Sequence, residues 1–315
     1  MMKKIAVLGS GTMGHGIAES FAMYGYEVNL YDTDASRLES AKSEIKAELE
    51  LLAEEDFITA QAIPGILDNV HLCTDLKETV ADRDFVIEAV PEILELKQNL
   101  FKQLDELCPE HTVLASNTSS LKLDLMMALV SEKRRQRMMV CHWYNPGHLM
   151  PIVELSCFGN MPAEIYEEVA QMFAAIKKQT VKVLKDVPGL VANRIQQGVA
   201  REVFSIIEQG IAAPEDVDKA LKFGPAFRYA TTGQLEVADF GGIDIWCIVG
   251  DNLLKVIDNS QCANPLLRKK MEEGKLGIKS GEGFYQYPEA EIPAIKKQFM
   301  KKLIHQLKAS DYYVS

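Results

Sequence analysis

The sequence predicts an α/β protein with a doubly wound parallel sheet, followed by an all-helical C-terminal domain. Residues 1–186 alternate short β-branched runs with amphipathic stretches, which is typical of a sheet covered by helices on both faces. From residue 187 onward the apolar residues recur at helical spacing, and no further strand is predicted. The predicted domains are therefore 1–186 and 187–315, in line with the two domains that 315 residues suggest.

The first domain contains most of the predicted elements. Its helical patterns cover Gly14–Tyr24 and Leu94–Leu107, and residues 35–67 form a long excursion that we expect to be a helical arm. The tail, 291–315, is predicted to be a charged amphipathic helix. The predicted strands are Ile5–Leu8, Glu27–Tyr31, Phe85–Val90, Val113–Ala115, Met139–His142, Ile152–Leu155 and Val181–Leu184. The apolar positions of the arm are Leu38, Ala41, Ile45, Leu49 and Leu52.

Composition excludes several classes of protein. A net charge of -11 argues against nucleic acids and anionic membrane surfaces as partners, and no apolar stretch is long enough for a membrane span. The N-terminal apolar run is too short for a secretory signal. The six cysteines are scattered without a C-x-x-C pair, so we expect reduced thiols, a cytoplasmic location and no metal site.

A glycine-rich motif follows the first predicted strand and opens a helix. In it, Gly9 permits a tight turn, Gly11 lets the backbone approach a pyrophosphate, and Gly14 allows close packing of helix on strand; Thr12 and Met13 complete the turn. Asp32 ends the next strand, where a carboxylate accepts from ribose hydroxyls and repels a 2'-phosphate. The pattern predicts a Rossmann-like NAD site, with FAD as the competing dinucleotide and a plain glycine turn as the non-functional alternative.

Two further segments have the composition of active-site loops. The run Ala115–Leu121 is small and polar and leaves an apolar strand at its carboxyl end. His142 ends one predicted strand and Glu154 lies on the next, 12 residues later, so a short return would let imidazole and carboxylate pair. Such a pair suits removal of a hydroxyl proton. The alternative is a packed histidine and a solvated glutamate.

Taken together, these motifs resemble the 3-hydroxyacyl-CoA dehydrogenase family over nearly the whole chain. The resemblance continues through Val86–Glu92, Pro188–Arg194 and Lys279–Tyr285. It implies NAD-dependent oxidation of an L-3-hydroxyacyl group and a homodimer formed through the helical domain. It also implies His142 as general base, Glu154 as its partner, and Ser119 and Asn193 as donors to the reacting oxygen. The cofactor contacts it implies, besides the glycine motif and Asp32, are Ala89, Val90, Glu92, Lys97, Asn117, Asn145 and Lys279.

Two departures from the family pattern bear on the substrate. Residues 44–56 hold six acids against one lysine, where members that bind CoA carry Ser and Lys. The stretch 224–235 replaces a Pro-Met-Gly-Pro turn with an Arg-Tyr-Ala form, similar to relatives such as L-gulonate 3-dehydrogenase of the lambda-crystallin type. Arg228 could then bind a substrate carboxylate bidentately, with His148 adding a contact.

The sequence therefore predicts the first of three functions and leaves the other two open as alternatives. The first is reversible oxidation of a short-chain L-3-hydroxyacyl-CoA, such as 3-hydroxybutyryl-CoA, to the 3-ketoacyl-CoA. The second is oxidation of a small free hydroxy acid or carboxylated alcohol, with Arg228 on the carboxylate. The third is a non-catalytic NAD-binding or structural protein, against which the joint presence of His142, Glu154, Ser119 and Asn193 argues.

Overall fold

A computed structural model of the chain describes residues 2–311, which include an eight-stranded sheet. The strands are β1 (Lys4–Leu8), β2 (Glu27–Tyr31), β3 (Val70–Cys73), β4 (Phe85–Glu88), β5 (Val113–Ser116), β6 (Met138–Trp143), β7 (Ile152–Ser156) and β8 (Gln179–Lys182). Their order is β3-β2-β1-β4-β5-β6-β7-β8, and every neighbouring pair is parallel except β6 with β7. The predicted fold class is confirmed, with one antiparallel pair inside the sheet.

The order of the strands reverses between β1 and β4. From β1 the chain builds β2 and β3 on one side, and from β4 it builds the remaining strands on the other side. Open α/β sheets bind their ligands at such a reversal, outside the carboxyl ends of the strands. Gly9 follows β1 and Ala89 follows β4, so the glycine motif lies at this point.

Helices cover both faces of the sheet, so the central strands are buried on both sides. On one face Leu8 packs in a cluster with Phe101, and on the other face the rings of Phe21, Phe85 and Trp143 meet edge-to-face or tilted. The helices of this part are α1 (Gly14–Ala22), α2 (Ala35–Glu54), α3 (Ile63–Asp68), α4 (Leu76–Val80), α5 (Leu94–Leu107), α6 (Leu123–Met126), α7 (Glu132–Arg135) and α8 (Ala163–Ala175).

The two edge strands differ from the prediction. β3 was not predicted, because four residues with an exposed His71 give little alternation to detect. The last strand was predicted at Val181–Leu184 but lies at Gln179–Lys182, and Leu184 is 77% exposed. Edge strands bury one side at most, so polar residues such as those of β8 occur there. The hydrophobic pattern then no longer marks where the strand begins and ends.

The predicted helical arm consists of α2 and α3. All five apolar positions predicted for its inner face are buried. Asp34 caps α2, because its carboxylate accepts from the Ser36 N–H at 2.9 Å and thereby satisfies a free donor of the first turn. The arm therefore packs through a continuous apolar stripe. Most of its acidic residues are exposed, and Glu48 and Glu55 are half-buried.

The chain divides into two compact units, the first comprising residues up to Val191 together with Leu303–Leu307. The second unit is helical, as predicted, with isolated bridges but no named strand among its described residues. Its helices are α9 (Ala192–Glu208), α10 (Pro214–Phe223), α11 (Pro225–Tyr229), α12 (Gly233–Gly241), α13 (Ile243–Leu253), α14 (Pro265–Glu272) and most of α15 (Ile292–Ser310). α15 matches the predicted tail helix, whose last four residues, 312–315, lie outside the described part.

The cysteines and the helices of the structure bear on two expectations drawn from composition, those of reduced thiols and of no membrane span. All six cysteines fall within the described residues, and none of them forms a disulfide. Between residues 2 and 311 no helix has the length and apolarity that crossing a bilayer requires. The cytoplasmic location stays a prediction.

Candidate active site

The turn between β1 and α1 requires glycine at two positions for different reasons. Gly9 has φ +98°, and a Cβ there would lie 2.9 Å from the Ala89 carbonyl oxygen. At Gly14 a Cβ would lie 1.7 Å from the Gly9 carbonyl oxygen, so any side chain would break the contact of helix and strand. Gly11, by contrast, is exposed and would place a Cβ in open space. The constraint at Gly11 therefore comes from outside the chain, as expected where a pyrophosphate approaches the backbone.

Asp32 is held beside this turn. Its Oδ2 accepts from the N–H and the hydroxyl of Ser10 at 3.0 and 2.9 Å, and its Oδ1 accepts from the Asp34 N–H at 3.2 Å. Partial burial opposes ionisation, but these hydrogen bonds outweigh it and lower the pKa of Asp32. A fixed carboxylate at the end of β2 is the group that accepts from the ribose hydroxyls of NAD and repels the extra phosphate of NADP.

The end of β4 holds a buried ion pair. Lys97 of α5 is 1% exposed, and its Nζ donates to Glu88 Oε1 at 2.7 Å and lies 3.0 Å from Glu92 Oε2. Glu88 is fully buried and also accepts from the Ser116 hydroxyl and the Val90 N–H. Burial raises the pKa of Glu88 even beside this lysine. Lys97 is thus committed to two carboxylates, and its predicted contact with the cofactor stays a prediction.

Glu92 connects this pair to the predicted active-site loop. Burial acts against its charge, yet hydrogen bonds from Thr118 and Ser120 and the charge of Lys97 lower the pKa of Glu92 to about 2. The carboxylate therefore stays ionised at any ordinary pH and fixes the loop that follows β5. Ser119 lies between these two donors and lines a small pocket with Val140 and Leu190.

His142 and Glu154 face each other across the one antiparallel strand pair. They are register partners of β6 and β7, and His142 Nδ1 lies 2.8 Å from Glu154 Oε2. The predicted pairing is confirmed. Both side chains are buried, and Glu154 Oε1 accepts a second hydrogen bond from the Val191 N–H at 2.8 Å. Since a carboxylate only accepts, Nδ1 carries a proton, and Nε2 is the ring atom left to take up another.

Neighbouring residues fix the end of β6. Asn117 Oδ1 accepts from the Trp143 N–H at 2.8 Å, so this predicted cofactor residue is held at the end of β6 with its amide NH2 free of that contact. The Tyr144 ring meets the His142 ring edge-on at 5.4 Å between centroids. Burial, helped by the charge of Glu154, raises the pKa of Tyr144 to about 12, so the phenol stays neutral beside the imidazole.

The remaining predicted residues are more scattered. Asn145 is exposed in the loop after β6, and Lys279 is exposed in the loop after α14. Asn193 lies in the first turn of α9 and Arg228 lies on α11, both in the helical unit. His148 is buried, with Nδ1 3.5 Å from Glu48 Oε2. The catalytic, cofactor and substrate roles of these residues stay predictions.

Sequence reasoning missed three parts of this arrangement. Glu88 and Ser116 received no role, although a glutamate inside the apolar run Phe85–Val90 was a signal of a buried partner. The backbone of Val191 received none either, because a main-chain donor leaves no trace in the sequence.

The charges of the arm are partly balanced within the first unit. Glu48 lies 3.4 Å from His15 and 3.5 Å from His148, and Glu55 lies 2.9 Å from His305. Glu44 and Glu50 are exposed, with 59% of each side chain accessible. The C-terminal half of the arm therefore keeps exposed acidic side chains, as its composition predicts.

Comparison with protein families gives consistent matches over both units. A family model described as the NAD-binding domain of 3-hydroxyacyl-CoA dehydrogenase matches residues 4–187, and the C-terminal domain model of the same family matches residues 189–287. Together the two models account for most of the chain. The glycine turn, Asp32 and the paired His142 and Glu154 all lie inside the first matched range.

Individual relatives are similar over nearly their full length. A probable 3-hydroxybutyryl-CoA dehydrogenase of Bacillus subtilis is 35% identical, with 91% of this chain and 98% of that one covered. A 5-formyl-3-hydroxy-2-methylpyridine 4-carboxylate 5-dehydrogenase of Mesorhizobium japonicum is 31% identical, with coverages of 96% and 97%. A crystal structure of a 5-dehydrogenase of that same acid, described as an NAD+-dependent dismutase, matches with a TM-score of 0.89, 30% identity and 99% coverage of both chains. The chain therefore belongs to the 3-hydroxyacyl-CoA dehydrogenase family of NAD-dependent oxidoreductases.

Proposed function

We propose that this enzyme oxidises the hydroxyl carbon of a small carboxylated alcohol that carries no CoA, with His142 as general base. The observation that carries the reaction is the buried hydrogen bond between His142 Nδ1 and Glu154 Oε2. His142 Nε2 takes the proton of the substrate hydroxyl as the C–O bond becomes a carbonyl. NAD+, when bound, accepts the hydride that leaves the same carbon, so two electrons and one proton pass to it while the second proton remains on His142.

Glu154 acts on this step through the imidazole. Its carboxylate fixes the tautomer with the proton on Nδ1 and stabilises the imidazolium that forms when Nε2 is protonated. Ser119 and Asn193 are proposed as hydrogen-bond donors to the reacting oxygen, which gains negative charge as its proton leaves. In the reverse direction the same groups return the proton to the carbonyl oxygen.

The acidic surface of the arm supports a substrate without CoA. A CoA molecule carries several phosphate charges, whereas residues 44–56 hold six acids against the single Lys46, which lies 3.8 Å from Glu50. The similarity to a dehydrogenase named for a pyridine carboxylate points the same way. Arg228 is exposed, and within residues 2–311 its guanidinium has no acidic partner, which leaves it able to bind a carboxylate.

Replacing Arg228 with Gln tests the carboxylate contact. We expect kcat/KM for a free hydroxy acid to fall by about 10²-fold, because a bidentate charged pair is lost. Arg228→Lys keeps the charge but not the planar fork, so its loss should be intermediate. NADH formation at 340 nm measures both variants, with NAD+ affinity as the control. Unchanged kcat/KM in Arg228→Gln would remove this residue from substrate binding and leave the role of His142 untouched.

A short-chain 3-hydroxyacyl-CoA is the second candidate substrate. The 35% identity to a probable 3-hydroxybutyryl-CoA dehydrogenase favours it. The two candidates separate in one assay that compares 3-hydroxybutyryl-CoA with free 3-hydroxybutyrate, L-gulonate and hydroxymethylpyridine carboxylates. Higher kcat/KM for a free acid supports the proposal. Efficient turnover of 3-hydroxybutyryl-CoA would overturn the proposal. So would NADH oxidation that acetoacetyl-CoA supports and none of the free keto acids supports.

We propose further that the enzyme is a homodimer formed through its helical unit. Leu235 and Phe240 of α12 are 82% and 88% exposed, and Ile243 of α13 is 63% exposed, which is unusual for large apolar side chains on a monomer. We expect Phe240→Glu to dissociate the dimer in sedimentation velocity experiments, because it places a charge on this surface. Asn259→Glu adds the same charge at an exposed loop position and should leave the dimer intact. A monomeric wild-type protein at micromolar concentration would refute the proposal.

A further inference from the structure

A group of ionisable side chains is buried beneath the nucleotide-binding helix, apart from the paired His142 and Glu154. It comprises Glu19 of α1, Glu48 of α2 and His148 of the loop between β6 and β7. One ligand atom from each residue lies within 4.8 Å of the others. All three residues belong to the first unit.

The distances within this group are close to those of a metal site. His148 Nδ1 lies 3.5 Å from Glu48 Oε2 and 4.0 Å from Glu19 Oε2. Ligands of a tetrahedral zinc ion at about 2.0–2.1 Å from the metal are about 3.3–3.5 Å apart from one another. Side-chain movements of less than about 1 Å would therefore bring the three atoms onto one ion.

Apart from one another, the same atoms have no hydrogen-bond partner among the described residues. Glu19 is fully buried, and among the described residues neither of its carboxyl oxygens receives a hydrogen bond. Glu48 Oε2 and His148 Nδ1 are also buried without a partner, and the His148 side chain is only 2% exposed. Buried polar atoms are nearly always satisfied, so three unsatisfied groups that converge on one point indicate a missing ligand.

The surroundings hold this group in place. His15 Nε2 lies 3.4 Å from Glu48 Oε1, the carboxylate oxygen that does not face His148, and His15 Nδ1 lies 3.4 Å from the exposed Glu44. Lys178 donates to the carbonyl oxygens of Gly147 and Met150, on either side of His148. Supporting contacts of this kind orient metal ligands in known sites.

The charge of the group also suits a cation. Two carboxyl groups, Glu19 and Glu48, face the single imidazole of His148. A divalent ion would neutralise both carboxylates without a proton.

We propose that Glu19, Glu48 and His148 bind a divalent transition-metal cation, Zn2+ or Mn2+, as a structural site. A mixed set of carboxylate and imidazole ligands fits these ions better than Mg2+, which prefers oxygen ligands alone. The site would tie together α1, α2 and the loop that follows the strand of His142. It departs from the expectation of no metal site, which considered cysteine spacing alone, and it does not depend on the identity of the substrate.

Metal binding to the chelator-treated enzyme tests the proposal directly. We expect isothermal titration with ZnCl2 or MnCl2 to give one ion per chain, and MgCl2 to give no binding. At a concentration 100 times its Kd the ion should raise Tm by about 5–10 °C. Glu19→Gln and His148→Gln should each weaken binding by at least about 100-fold, since a ligand is lost. Glu50→Gln removes an exposed charge from the same helix, away from this group, so its affinity should stay within about threefold of wild type.

The competing explanation is a shared proton. Burial and the neighbouring Glu48 raise the pKa of Glu19, so without a metal the two carboxyl groups could hold one proton between them. In that case neither ZnCl2 nor MnCl2 changes Tm, and apo Glu19→Gln is as stable as wild type. That result would overturn the proposal, as would equal loss of affinity in Glu50→Gln and Glu19→Gln. Circular dichroism of each variant confirms that the comparison is made between folded proteins.

Discussion

Replacing His142 with Gln should lower kcat by about 10²- to 10⁴-fold while leaving NAD+ affinity within about threefold of wild type. The amide of Gln can still donate to Glu154, so the buried carboxylate keeps a partner and the strand pair is preserved. What disappears is the ring nitrogen that takes up the hydroxyl proton. Steady-state NADH formation measures the loss, and fluorescence titration with NAD+ measures the binding that should persist.

Two further variants give this experiment its controls. Glu154→Gln should also reduce kcat and alter its pH profile, because an amide no longer stabilises the imidazolium. His71→Gln changes an exposed histidine on the edge strand β3 and should leave kcat unchanged. If His142→Gln turns over substrate within threefold of wild type, the general-base role is wrong. If wild type reduces no NAD+ with any hydroxy acid or hydroxyacyl-CoA, the third function, a non-catalytic NAD-binding protein, gains support.

Replacing Lys97 with Met should destabilise the protein by about 3–5 kcal/mol. Lys97 and Glu88 are both essentially inaccessible, so removal of the lysine leaves a carboxylate buried without its counter-charge. The chain can respond only by protonating Glu88 or by admitting water, and both responses cost free energy. Urea denaturation followed by tryptophan fluorescence measures the effect, since Trp143 lies in the core of the same unit.

The double variant separates loss of the pair from loss of volume. In Glu88→Gln with Lys97→Met no charge remains buried, so much of the stability lost in Lys97→Met should return. Lys102→Met alters an exposed lysine of the same helix and should change the free energy of unfolding by less than about 0.5 kcal/mol. Equal destabilisation by Lys97→Met and by the double variant would show that packing, and not the unpaired carboxylate, causes the effect.

The sequence predicted best where a pattern and a motif coincide. The strands beside the glycine turn are apolar on both faces and end in residues of special conformation or charge, so β1, β2 and the turn were found together. His142 and Glu154 could be paired because a return of 12 residues lets an imidazole and a carboxylate on neighbouring strands face each other, although a packed histidine and a solvated glutamate were the alternative. All five buried apolar positions of α2 were likewise predicted, because a single face of this helix packs against the protein core.

Other features depend on contacts between segments distant in the chain. Lys97 is predicted to contact the cofactor, and the structure adds an ion pair with Glu88 that the sequence did not reveal. His148 is predicted to contact the substrate, and the structure adds its proximity to Glu19 and Glu48 of two different helices. β3 is too short and too polar to be distinguished from a loop. The neighbouring sequence does not show which residue each of these side chains contacts. That contact is determined by how the strands and helices pack against one another.

The hydrogen bond from the Val191 N–H to Glu154 has a consequence for how the enzyme tolerates change. A main-chain donor is present whatever side chain occupies position 191, and only proline would remove it. Glu154 is therefore held on one side by an atom that nineteen of the twenty residues supply. Substitutions other than proline at position 191 can therefore alter the side chain at the start of the helical unit. The hydrogen bond that orients Glu154, and through it His142, remains.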